Sequence, residues 1–203
     1  MGTIMSIAAT IQNEINKIAL GEPFTNGRFL ALGSRTSVDK ALSRLVQKGV
    51  ILRVARGVFV RPKSSRFISN VMPSAEKVVQ IMAQEAGEII QLHGAEAARR
   101  FRLTTQMPTT PAYYTNRASR QIQVGNLSVQ MIHTANPRKL QHAGQQAGMA
   151  LSALWYLGKN NVDNQTLRTI EQHLSPEEFD TLRMSKMPQW LADAFTYYAN
   201  PSL

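Results

Sequence analysis

Between Val38 and Arg61 the hydrophobic period changes, and that change constrains the fold more than any other feature. Val38, Ala41, Leu42, Leu45 and Val46 recur at i, i+3, i+4, i+7 and i+8, the stripe of an amphipathic helix. Gly49 ends it. Val50 to Val54 is β-branched and apolar, Arg56-Gly57 supplies a turn, and Val58 to Arg61 returns before Pro62. A helix that runs straight into a hairpin leaves few arrangements. Upstream, Ile7, Ile11, Ile15 and Ile18 predict a helix over 6–20. Thr25 or Asn26 is placed to cap a short second helix through Phe29, Leu30 and Leu32. The third helix is expected over about 37–48. The order helix, helix, helix, hairpin predicts a winged helix-turn-helix domain over residues 1–66.

The charge of the 203-residue chain is concentrated on this same stretch. The total is +10, yet residues 28–66 hold ten basic groups against Asp39 alone, a local excess of +9. A surface that merely solubilises mixes both signs. One sign packed into so short a stretch is a footprint for a polyanion, and double-stranded DNA is the expected partner. The third helix buries one face and offers the other to a major groove. Arg35 and Thr36 lie at its start, and Ser37, Lys40 and Arg44 are expected to reach base edges. Arg53, Arg56, Arg61 and Lys63 on the hairpin are expected to hold phosphates, with Arg28 adding to the footprint. Two copies, a homodimer on DNA, would occupy an inverted-repeat operator with half-sites about one turn or a multiple apart. The alternative is a protein-interaction module whose basic patch meets an acidic partner, without a DNA role.

Ser64 to Pro73 has the look of a linker. Beyond it, residues 74–203 predict a mixed α+β domain with a small antiparallel sheet and C-terminal helices. Ser74 caps a helix with Val78, Val79, Ile81 and Met82 on its buried side, and Gly94 to Arg102 reads as another. Glu88 to Leu92 and Ala112 to Thr115 are extended. Arg120 to Val124 and Leu127 to His133 alternate apolar with polar across Gly125-Asn126, a hairpin signature. Helices follow over 139–159, 166–174, from Ser175-Pro176, and over 188–199. The fold class is therefore α+β.

Little in the chain suggests chemistry. Without cysteine there are no disulfides, thiolate metal sites or cysteine nucleophiles. His93, His133, His142 and His173 lie far apart and match no metal-ligand spacing. Glu177-Glu178 pairs two carboxylates, but at a helix start they complement the dipole. No enzyme activity, metal or cofactor is expected. No run of 18 apolar residues occurs, and the first apolar residues lack a basic segment before them, so a cytoplasmic protein with no membrane partner is expected. Arg99, Arg100, Arg102, Arg117 and Arg120 crowd together, either as a second basic surface or screened by acids such as Glu96.

Three stretches carry a family resemblance: "RTSVDKALSRLVQKGVILRVARGVFVRPK" (35–63), "HGAEAARRFRLTTQMPTTPAYYTN" (93–116) and "RQIQVGNLSVQMIHTANPRKL" (120–140). Together they resemble the AbiEi-like antitoxins over about 24–160, with Leu103 to Pro108 the most specific piece. The resemblance implies an N-terminal winged helix that represses its own operon. It also implies a C-terminal domain that counteracts a nucleotidyltransferase-like toxin in a type IV toxin-antitoxin system. Arg102 stands where the family often has Gly, and Asn116-Arg117 where it often has Asp-Gly.

Overall fold

The computed structural model describes residues 6–63 and 72–200. Residues 1–5, 64–71 and 201–203 lie outside the described residues, and with them Arg66 and most of the expected linker. The chain is mixed α+β and divides into two units. The first takes the described residues through Gly87 and the segment Ile122–Leu127; the second takes Glu88–Gln121 and the described residues from Ser128 on. Among the described residues no helix is long and apolar enough to cross a membrane.

In the first unit, α1 (Ile7–Lys17) opens at Ser6, whose Oγ accepts the Ala9 N–H at 3.2 Å. It buries Ile11 and Ile15 completely. The chain then forms β1 (Pro23–Thr25), and the second helix expected after it is a 3-10 helix over Asn26–Leu32. Only Phe29 is buried there, too little apolar contact to hold a full α-helical face. Helix α2 (Arg35–Gln47) starts two residues earlier than the spacing suggests. Ser34 is its cap, accepting the Ser37 N–H at 3.3 Å. Strands β2 (Leu52–Ala55) and β3 (Val58–Val60) form the expected hairpin, and β1 pairs antiparallel with β3, giving the order β1-β3-β2. That pairing sets Phe24 opposite Phe59, with ring centroids 6.1 Å apart, while Phe29 meets Phe24 edge-on at 5.8 Å. These rings join Ile11, Ile15, Val38, Leu42 and Ile51 in one apolar cluster.

Helix α3 (Ala75–Ala86), capped by Ser74 as expected, belongs to this first unit and not to the second domain that residues 74–203 were expected to form. The reason is tertiary. Glu85 accepts a hydrogen bond from Thr25 Oγ1 at 3.0 Å, and Lys77 Nζ lies 2.7 Å from Glu22.

The second unit is built on β4 (Ile90–Leu92), α4 (Gly94–Arg100), β5 (Ala112–Thr115) and most of β7 (Leu127–His133), while β6 (Arg120–Val124) starts in this unit and its residues from Ile122 on, with Leu127, count with the first. Four helices follow: α5 (Gln146–Leu157), α6 (Asn164–His173), α7 (Pro176–Arg183) and α8 (Gln189–Ala199). The strand order is β4-β5-β7-β6, and β5 runs parallel to β7, so the sheet is mixed and not the antiparallel one expected. Burial explains it. Val129 and Met131 of β7 are almost fully buried and take the interior, whereas β6, with Arg120, Gln121 and Gln123 exposed, suits an edge. The helix expected from Lys139 begins only at Gln146, because His142 and Gly144 both adopt left-handed conformations, with φ of 52° and 79°. Helix α7 carries a full capping box: Ser175 Oγ accepts the Glu178 N–H and Glu178 accepts the Ser175 N–H at 2.8 Å.

Candidate nucleic-acid interface

Helix α2 buries Val38, Ala41, Leu42 and Leu45. At about 100° per residue, Thr36, Lys40, Ser43 and Gln47 fall on the opposite side, and all four are exposed. Arg35 and Asp39 flank this row on one side and Arg44 on the other. Ser37 is half-buried, and its Oγ lies 2.9 Å from that of Ser34, so it serves the helix start.

The expected cations do not form one group. Arg35, Arg53 and Arg56 line a single open cleft of about 740 Å³, together with Asn26, Ser43 and Gln47. The Arg56-Gly57 turn is docked: the Asn26 N–H donates to the Gly57 carbonyl at 3.2 Å, and Gly57 sits at φ 76°, a conformation that suits glycine. Arg61 has a different role from the phosphate contact expected of it. Its Nη1 donates to the carbonyls of Asn16 and Ile18 at 2.8 and 2.6 Å, closing the end of α1. Lys63 is exposed and lies past the end of β3 remote from the turn. Arg28, Lys40, Arg44, Lys48, Arg53, Arg56 and Lys63 have no ion pair with a described residue, while Arg35 pairs with Asp39 at 3.2 Å.

The cleft also holds carboxylates. Asp39 and Glu85 both line it, the latter from α3. Glu85 crosses Gly27 so closely that a Cβ there would sit 1.5 Å from Glu85 Oε1. Nothing in the local pattern around Glu85 announces this position, because its partner Thr25 is sixty residues away. Asn26 reads from sequence only as a helix cap, yet its side chain donates to Asp39 Oδ1 at 3.0 Å.

The arginines of the second unit are mostly engaged. Glu96 accepts from Arg99 Nη2 and Nε at 2.6 and 2.7 Å, and from Arg100 Nε at 3.3 Å. Those Arg99 hydrogen bonds, opposed by burial and aided by Arg100, hold the Glu96 carboxyl below its ordinary value. Arg120 grips both oxygens of Glu88, whose side chain has no exposure, and Thr115 Oγ1 also donates to it. Burial pushes the Glu88 carboxyl up, but Arg120, Thr115 and the charge of Arg117 outweigh it, and the net direction is down. His93 accepts the Ala95 N–H at the start of α4; burial, then the charge of Lys139, lowers its pKa. Among the described residues no group of three or more His, Asp or Glu is placed to hold a metal ion.

A family model matches residues 10–182. The chain belongs to DUF6088, a family of unknown function. No curated protein matches it. The DUF6088 span takes in α2, the hairpin, the cleft and the Glu88–Arg120 pair, and leaves α8 outside.

Proposed function

We propose that this chain is a DNA-binding repressor of its own operon. On this reading α1, the 3-10 helix and α2 form a helix-turn-helix, and the β2–β3 hairpin is its wing. The observation that carries it is that Lys40 and Arg44 on α2 and Arg53 and Arg56 on the wing are exposed and form no ion pair with a described residue. A helix with its side chains is about 10–12 Å across and a major groove about 12 Å wide, so α2 enters with its Thr36–Gln47 row toward the bases. Arg53 and Arg56 then face the backbone from the wing, and Arg28, Arg44, Lys48 and Lys63 add to the phosphate contacts. Arg61 holds α1 instead. A protein acting on operon DNA works in the cytoplasm. Gel-shift titration on the chain's own upstream DNA tests the reading. Binding that outlasts a large excess of unrelated duplex is the expected result, and equal competition by any duplex contradicts it.

The antitoxin half of the proposal rests on the resemblance of residues 35–63, 93–116 and 120–140 to AbiEi-like antitoxins. There the second unit counteracts a nucleotidyltransferase-like toxin encoded next to this gene. Growth arrest by the neighbouring gene, relieved when this chain is co-expressed, is the expected outcome.

Asp39 and Glu85 in the cleft favour a second reading, a protein-interaction module, because carboxylates repel phosphate and suit a partner that presents donors. Nuclease-resistant co-purification with the neighbouring gene's product, without any duplex binding, would select it.

A further inference from the structure

We infer that Arg35 reads a guanine, and that Asp39 and Asn26 position it for that contact. This rests on the DNA-binding reading above and adds the base and the residues that select it.

Arg35 is the first residue of α2, at the end of the helix expected to approach base edges. Its Nε donates to Asp39 Oδ2 at 3.2 Å, one turn further along the helix. The other oxygen of Asp39, Oδ1, accepts from Asn26 Nδ2 at 3.0 Å. Asn26 is itself tied to the wing turn through its N–H and the Gly57 carbonyl. The guanidinium is therefore held on the Nε side by a relay that reaches the scaffold, and both Nη groups stay available. Guanine presents two acceptors, O6 and N7, to the major groove, which suits a pair of donors arriving end-on. Adenine offers one acceptor beside a donor, and the second Nη would meet that donor unfavourably.

Asp39 is the only acid between residues 28 and 66. A carboxylate in that position weakens attraction for phosphate, so it cannot serve affinity for the backbone. As an exposed i,i+4 pair it adds little to helix stability. What it does supply is direction. An arginine already oriented in the free protein loses less freedom on contact, and its planar fork arrives with two donors in fixed geometry.

The test is selection of bound sequences from a random duplex library by the full chain, followed by affinity measurements on the selected site and its single-base variants. The wild-type chain is expected to enrich a G at one position in each half-site. Arg35→Ala removes both donors and is expected to lose roughly ten- to hundred-fold discrimination at that base. Asp39→Ala is expected to raise affinity for unrelated duplex a few-fold while lowering discrimination at the same base several-fold, two opposite changes that a merely structural role does not produce. Discrimination unchanged in Arg35→Ala overturns the inference, as does a wild-type chain that binds duplex without preferring G anywhere, and discrimination unchanged in Asp39→Ala overturns the positioning role. No duplex binding by the wild-type chain overturns the DNA-binding reading itself. Thermal melting checks that both variants fold; if Asp39→Ala does not, Asp39→Asn takes its place.

Discussion

Two sets of basic residues stand out in this chain, and the structure treats them in opposite ways. On α2 and the β2–β3 hairpin, Lys40, Arg44, Arg53 and Arg56 are exposed and form no ion pair with a described residue, although Arg53 and Arg56 share their cleft with Asp39 and Glu85. In the second unit Arg99 and Arg100 share Glu96, and Arg120 is bound to a buried Glu88. Cations of the first kind are not neutralised at short range and release counterions when they meet phosphate. Those of the second kind are neutralised at short range and hold structure. Local density of arginine is thus a poor measure of polyanion affinity until the acids facing it are known.

The largest effect that would break this contrast lies in the first set. The triple variant Arg44→Ala, Arg53→Ala, Arg56→Ala is expected to lower duplex affinity about a thousand-fold at low salt, taking each guanidinium–phosphate contact as roughly tenfold. The double variant Arg99→Ala, Arg100→Ala is expected to leave affinity unchanged in the same titration. Loss of binding in both variants would erase the distinction.

In the second set the effect is on stability. Arg120→Ala leaves the Glu88 carboxylate buried without its main partner and is expected to cost about 3 kcal/mol in denaturant unfolding. The pH dependence follows from the lowered Glu88 pKa. Its contribution is complete above the ordinary value of 4.5 and is lost as pH falls through the lower value in the folded protein. The gap between wild type and Arg120→Ala should therefore narrow as the solution is acidified below about pH 5. A gap constant down to pH 3 would contradict the assignment.

Smaller effects sharpen the contrast at the cleft. Gly27→Ala pushes Glu85 off Thr25, a buried residue, and is expected to cost about 1 kcal/mol of stability. Glu85→Gln removes a negative charge from the cleft and is expected to raise duplex affinity a few-fold, read by fluorescence anisotropy. Smallest is Arg102→Gly. Arg102 sits at φ 58° just past α4, where its N–H meets the Arg99 carbonyl and the Leu103 N–H meets that of Ala98, a Schellman closure. Glycine takes that conformation freely, so a gain of about 0.5 kcal/mol is expected in thermal melting.

Elements whose cause is local were legible in the sequence. The stripe of α2, the Arg56-Gly57 turn, the Ser74 and Ser175 caps and the β6–β7 alternation all depend on residues a few positions apart. What escaped depends on distant partners. Strand β1 exists because β3 returns beside it, and α3 joins the first unit through Glu85 and Lys77, partners of Thr25 and Glu22. The parallel β5–β7 pairing follows from which strand is most buried. At the candidate interface, the residue types on α2 were readable, but the diversion of Arg61 to α1 and the entry of Glu85 into the cleft were not, since each is set by a contact tens of residues away.

On the proposed reading, unpaired cations on α2 and the hairpin bind duplex by displacing counterions. Anisotropy titration of the full chain on its upstream DNA from 50 to 300 mM salt decides whether they do. Neutralisation of about six phosphates predicts a log–log slope near −5. A slope near zero, or no binding at the lowest salt, would contradict the claim.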